Sequence, residues 1–256
     1  DINVRSALIA AFNFEYINET LTGGEQPRIT SYFSNSPLAM QEGPAQGRVA
    51  ELLAPFTDSL PLGAMDGYAL PVSDGSARNR AGIRAAMKSL ETAGYSAQDG
   101  TMRAPDGTPL RFTILLSKGS TENMAIAELY IQALKRLGIT ATVDAVDDAQ
   151  FVARNNEFDF DMAIFRRALS LSPGNEQRYY WGSEAADQPG SRNLMGAKSP
   201  AIDAMIDTMV NAQSSEDFTA ATRALDRVLT AGRYVIPFWQ FTEDRIAHIG
   251  ELKYPD

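Results

Sequence analysis

Apolar residues recur at helical spacing from the first positions of the chain: Val4, Ala7, Leu8, Ala11 and Phe12 mark one face of a helix over 3–12. Asp1 is placed to cap it. A second short helix over 14–21 is stopped by Gly23 and Gly24. Residues 22–76 then lose periodicity and fill with Gly, Pro, Ser and Asn, with one helical patch near 46–54. An irregular stretch this long is expected to be a surface excursion or to cover a binding face.

From 78 onward the pattern is regular. Ile83, Met87, Leu90 and Ala93 form a helical stripe that Gly94 ends, and a hairpin turns at Asp106–Gly107. Strand 110–117, helix 121–137, strand 139–146, helix 148–156 and strand 161–167 follow with short links, which predicts a parallel sheet with right-handed crossovers. Met124, Ile126, Tyr130, Leu134 and Leu137 form the buried face of the first of those helices. Ser199 with Pro200 opens a helix burying Ile202, Met205, Ile206, Met209 and Val210. Ser214 and Asp217 have capping-box spacing ahead of Phe218, Ala221, Leu225 and Leu229. Two strands, 234–241 and 244–249, close the chain, and the whole reads as α/β with one main sheet flanked by helices.

Composition narrows the functions. The 256 residues carry a net charge of −9, against the cationic face that nucleic acid requires. With no cysteine there is no disulfide, thiolate metal site or cysteine nucleophile. No apolar run approaches the ~20 residues of a membrane-spanning helix. Asp1 begins inside a helical pattern, so the chain reads as a piece of a longer protein, with any signal peptide upstream.

Catalytic constellations are missing. His248 is the only histidine, and it sits in an alternating terminal strand, where a structural role explains it. No nucleophile elbow and no glycine-rich phosphate loop occurs. Asp144, Asp147 and Asp148 lack the glycine and alternating oxygens of a calcium loop and read as a strand end with a helix cap. Asp159 and Asp161, two apart at a strand entry, point to opposite faces and make no acid–base pair.

The stretch 166–193 differs in kind. It leaves the carboxyl end of a parallel strand, where open α/β sheets bind ligands. It is rich in guanidinium forks, amides, hydroxyls and rings, groups suited to carboxylates and amides. Arg166, Arg167, Ser170, Asn175, Glu176, Arg192 and Asn193 are the candidate polar contacts, with Trp181 as an apolar wall; Ser117 and Tyr32 are further candidates. The competing reading is a polar loop with Tyr180 and Trp181 packed inward.

Several segments taken in order resemble solute-binding protein family 5, the oligopeptide, dipeptide and nickel binders of ABC importers. These are Asp1–Glu15, Thr113–Glu122, Leu134–Ile139 and Phe158–Ala163. Ser31–Ser36, Ser170–Gln177 and Gly190–Leu194 are similar to its YejA-like oligopeptide-binding subgroup. The resemblance implies a periplasmic binding protein-like fold (type II, cluster C), with residues 1–256 as the C-terminal lobe of a two-lobed protein whose N-terminal lobe is absent. It further implies a periplasmic protein, with its signal peptide upstream, that captures oligopeptides or peptide-like ligands and delivers them to membrane permease subunits without cofactor or catalysis. In the family, the loop matching the end of 161–167 carries an aromatic residue and then an acid that pairs with the peptide's amino terminus. Here those positions hold Arg167 and Ser170, leaving Glu176 as the acid that could replace the anchor. Arg166–Arg167–Ala168 stands where YejA-like relatives often carry Gly-Trp-Gly, which favours an anionic ligand. An oligopeptide, a murein fragment, a peptide–antibiotic conjugate and an oligosaccharide all remain open. The alternatives to an importer component are a cytoplasmic ligand-sensing domain of a transcription regulator and a hydrolase.

Overall fold

A computed structural model describes residues 1–168 and 170–240. Helix α1 (Ile2–Ala11) starts where Asp1 accepts the N–H groups of Asn3 at 2.6 Å and Val4 at 3.2 Å. Helix α2 (Phe14–Thr22) ends at Gly23 with φ +72°. Helix α3 (Gly47–Leu53) runs into a 3-10 turn (Ala54–Ser59). Helix α4 (Arg80–Thr92) leads to a hairpin of β1 (Ser96–Gln98) and β2 (Thr101–Arg103). Its turn is Asp99–Gly100, both with positive φ (50° and 76°), the backbone a two-residue hairpin demands. The Asp106–Gly107 turn predicted from sequence is a second reversal, where Ala104 N–H bonds Thr108 C=O at 2.9 Å.

The main sheet is built from β3 (Arg111–Ser117), β4 (Thr140–Val146) and β5 (Met162–Ala163), joined by α5 (Thr121–Lys135) and α6 (Asp148–Asn156). It is fully parallel in the order β4–β3–β5, with Arg111 opposite Thr140, Ser117 opposite Val146 and Ile114 opposite Met162. Paired on both sides, β3 buries Ile114, Leu115 and Leu116 in succession, as a central parallel strand does. The strand expected over 161–167 is only two residues long, because Ile164 and its successors leave the sheet. Helices α7 (Glu176–Trp181), α8 (Pro200–Val210) and α9 (Ser215–Gly232), with a 3-10 turn (Ser183–Asp187) after α7, complete the described elements. In place of the strand 234–241, Trp239 makes an isolated bridge to Arg28. Strand 244–249 and His248 lie outside the described residues.

The acidic residues are structural, as the sequence indicated. Asp147 caps α6 through Gln150 N–H at 2.9 Å, and Asp144 pairs with Arg154 at 2.5 Å. Asp159 and Asp161 serve separate partners, Arg154 at 2.8 Å and the Thr113 N–H at 2.8 Å.

Two apolar cores lie side by side. One joins α1, α2, α4, α5 and the sheet through Phe12, Leu90, Leu116, Tyr130 and Leu134. The other joins α7, α8 and α9 to the long irregular segment through Phe33, Leu53, Trp181, Ile202 and Leu229. Gly138, at φ +74°, brings α5 against the hairpin: an added Cβ would stand 2.8 Å from both Gly100 O and Met102 N. Gly138→Ala is therefore expected to cost about 2–3 kcal/mol, from left-handed strain plus backbone displacement, read as a lower denaturant midpoint at unchanged slope.

Candidate functional site

The irregular segment owes its order to two neighbouring residues of α9. The Asp226 carboxylate, fully buried, accepts Ser31 Oγ at 2.6 Å and the N–H groups of Tyr32 at 2.7 Å, Met40 at 2.8 Å and Phe33 at 3.3 Å. Burial raises its pKa above the ordinary carboxylate range, against the lowering effect of those bonds. Arg227 supplies the complementary sign. Its guanidinium donates to the carbonyls of Gly43 (2.6 Å), Gln41 (2.8 Å), Ala64 (2.9 Å) and Met65 (3.1 Å). A backbone lacking helix or strand partners thus finds them on one helix.

At the carboxyl ends of β3 and β5 a cavity of about 300 Å³ opens. Leu116 and Ser117 form its floor, Phe151, Val152, Asn155 and Asn156 of α6 one wall, and Ile164, Phe165 and Arg166 the other; Asn123, Arg192 and Leu194 complete it. Two guanidiniums face this space, and no acidic side chain is among its lining residues. Ser117 Oγ donates to Asp148, which fixes the hydroxyl at the strand end. Arg166 is exposed and reaches Glu122 at 3.4 Å. Val152 and Phe165, 57% and 40% exposed, give the opening an apolar rim.

The structure divides the sequence candidates. Arg166, Arg192 and Ser117 meet at the cavity. Arg167 turns away from its neighbour into a cage of Phe33, Tyr180 and Trp181, its guanidinium carbon 4.9–5.3 Å from the three ring centres. Burial lowers its pKa below the usual arginine range, with Tyr180 and Glu176 opposing. The cage makes Arg167 a cation–π packing residue behind the site. Trp181, 4% exposed, spends its indole N–H on Gln177 at 2.8 Å and packs edge-on to Tyr32 at 5.1 Å. The Tyr32 hydroxyl meets Met195 Sδ at 3.3 Å. Both rings are core, as in the competing inward-packed reading, and Phe165 holds the exposed place expected for Trp181.

Asn193 is also spent internally. It donates to Gly182 O at 2.9 Å and Ala197 O at 2.8 Å, and accepts Ala197 N–H at 3.0 Å. Ser170 accepts the Ser172 N–H at 3.0 Å, and Ser170, Asn175 and Glu176 are all exposed beyond the cavity. For Glu176, burial works against the charge, but the Gly174 N–H at 2.8 Å and the Gln177 amide at 3.0 Å hold its pKa below the usual range. Sequence reasoning did not single out Phe151, Val152, Phe165 and Leu194, because an apolar side chain carries no mark that separates a cavity wall from a core position. Among the described residues, no cluster of acids and histidine could hold a metal ion, and no helix is long and apolar enough to cross a membrane.

The three-stranded parallel sheet flanked by helices, with a cavity beyond its strand termini, is a fold shared with solute-binding proteins of known structure. The oligopeptide-binding protein AppA from Bacillus subtilis, solved in complex with a nonapeptide, overlays 93% of this chain and 41% of its own, with TM-score 0.69 and 19% identity. The family model described as bacterial extracellular solute-binding proteins, family 5 Middle, matches residues 1–189, and the chain belongs to this family. It is 38% identical to the peptidoglycan-binding protein YepA of Agrobacterium fabrum over 257 residues, covering 100% of this chain and 42% of that protein. It is 40% identical to the same organism's "Probable peptide-binding protein YejA" over 255 residues, 99% of this chain and 41% of that protein. The chain thus spans about two fifths of the length of the curated relatives it matches.

Proposed function

We propose that this chain is the C-terminal lobe of an extracytoplasmic substrate-binding protein that captures peptide-like ligands bearing a carboxylate and delivers them to an ABC importer. The observation that carries this reading is the cavity at the β3 and β5 termini, with Arg166 and Arg192 on its walls and no acid in its lining. A carboxylate seated there gains charge-assisted, bidentate bonds from Arg166 and Arg192, while a peptide ammonium meets the two guanidiniums first, with Glu122 and Asp148 held behind them by Arg166 and Ser117. Phe151, Val152 and Phe165 accept apolar side chains beside it. The names of the relatives, peptidoglycan-binding and peptide-binding, agree with a short peptide rich in carboxylates, free or cut from cell-wall material.

In this reading a second lobe covers the cavity, and the ligand stabilises the closed form through contacts made only there. The protein is periplasmic, carries its signal peptide upstream, uses no cofactor and releases its ligand unchanged. Mass spectrometry of small molecules co-purifying with the full-length protein is expected to find carboxylate-bearing peptides. Recovery of neutral oligosaccharides or cationic peptides alone would exclude the proposed ligand class.

A further inference from the structure

A second basic concavity lies away from the cavity described above. Arg78, Arg80, Arg84 and Arg136, with Ile83, line a depression of about 380 Å³. Arg80 and Arg84 are one turn apart on the exposed face of α4, and Arg78 precedes the Asn79 cap of that helix. Arg136 ends α5, a few residues before β4 begins, so the depression lies at the amino ends of the strands, across the sheet from the ligand cavity. Gathering four guanidiniums is unfavourable without counter-charge, and it occurs here in a chain of net charge −9.

Local structure fixes the group without pairing its charges. Arg136 Nη1 donates to the carbonyls of Ala77 at 3.0 Å and Arg78 at 2.8 Å, joining α5 to the start of α4. The buried Asn79, at φ +39°, accepts Gly82 N–H at 3.1 Å and donates to Ala10 O at 3.2 Å, so the chain turns between Arg78 and Arg80. Among the described residues none of the four arginines is ion-paired. Asp74 feels the charge of Arg80 without pairing with it, and its Oδ1 accepts the Ser76 N–H at 3.0 Å and hydroxyl at 2.7 Å. The amino end of the α4 dipole adds to the positive potential. Lys88, one turn past Arg84, extends the basic face.

We propose that Arg78, Arg80, Arg84 and Arg136 form an anion site for a phosphate-bearing group, distinct from the ligand cavity and occupied independently of it. Guanidinium forks arriving from two helices match the several oxygens of a phosphate better than the two of a carboxylate. The group could be free phosphate or the headgroup of an anionic lipid, and the two are separable. Full-length protein is titrated calorimetrically with inorganic phosphate, and is sedimented with phosphatidylglycerol or phosphatidylcholine vesicles at low salt. The proposal expects saturable phosphate binding, or retention on phosphatidylglycerol vesicles only; the first identifies a free phosphate group and the second a lipid headgroup. Either is expected to weaken tenfold or more in Arg80→Ala/Arg84→Ala and by less in Arg84→Gln, with cleft affinity and circular dichroism unchanged. Binding of neither probe, or binding that the double variant retains in full, overturns it.

Discussion

Asp226→Ala is expected to be the most damaging single substitution on α9. It removes an acceptor from three backbone N–H groups and from the hydroxyls of Ser31 and Thr230. Each buried donor left unpaired costs about 1–3 kcal/mol, but partial detachment of residues 31–40 limits the sum, so a loss of about 3–5 kcal/mol is expected. For a chain of this size that is a fall in Tm of roughly 10 °C. Asp226→Asn keeps one oxygen but aims an NH2 group at donors, so its loss falls between alanine and wild type. Thermal denaturation measures both, and a Tm within a degree or two of wild type would show that the irregular segment is held by its apolar contacts alone.

This anchor explains where the sequence was legible and where it was not. Helices with clear stripes and caps, such as α4 with Leu90 and α9 with Ser214, could be read because their determinants are local. The strand–helix–strand alternation of residues 110–163 gave the parallel sheet, but its order, with β3 central, is a tertiary fact. Residues 22–76 could be read only as irregular apart from the helical patch near 46–54, which is α3. Their structure depends on Asp226 and Arg227, some two hundred positions away, and the one trace in the sequence is a charged pair inside an otherwise buried helix. At the cavity, chemistry was legible and direction was not. Arg166 and Arg167 are equivalent in sequence, yet one lines the cavity and the other stacks on Tyr180 and Trp181. Asn193 looked like a ligand contact because an amide's partners cannot be read from its type, and here they are Gly182 and Ala197.

The second large effect concerns binding. Arg166 and Arg192 are exposed, so removing both should leave Tm nearly unchanged. Each charge-assisted bond to a carboxylate is worth about 1.5–3 kcal/mol once the cavity is covered, about tenfold to a hundredfold in affinity. Arg166→Ala/Arg192→Ala is therefore expected to weaken binding by about 10²–10⁴-fold. Arg167→Met, which removes the caged cation and keeps its bulk, should change affinity far less and stability more, because its contacts are with Phe33, Tyr180, Trp181 and the Gln177 amide oxygen.

The most direct measurement is calorimetric titration of the full-length protein with one acidic peptide in two forms, free acid and fully amidated. Tight binding of the acid, at least about tenfold weaker binding of the amide, and loss of that preference in Arg166→Ala/Arg192→Ala are the predicted results. Equal affinity for the two forms, or a preference that survives in the double variant, would contradict carboxylate recognition at the ends of β3 and β5.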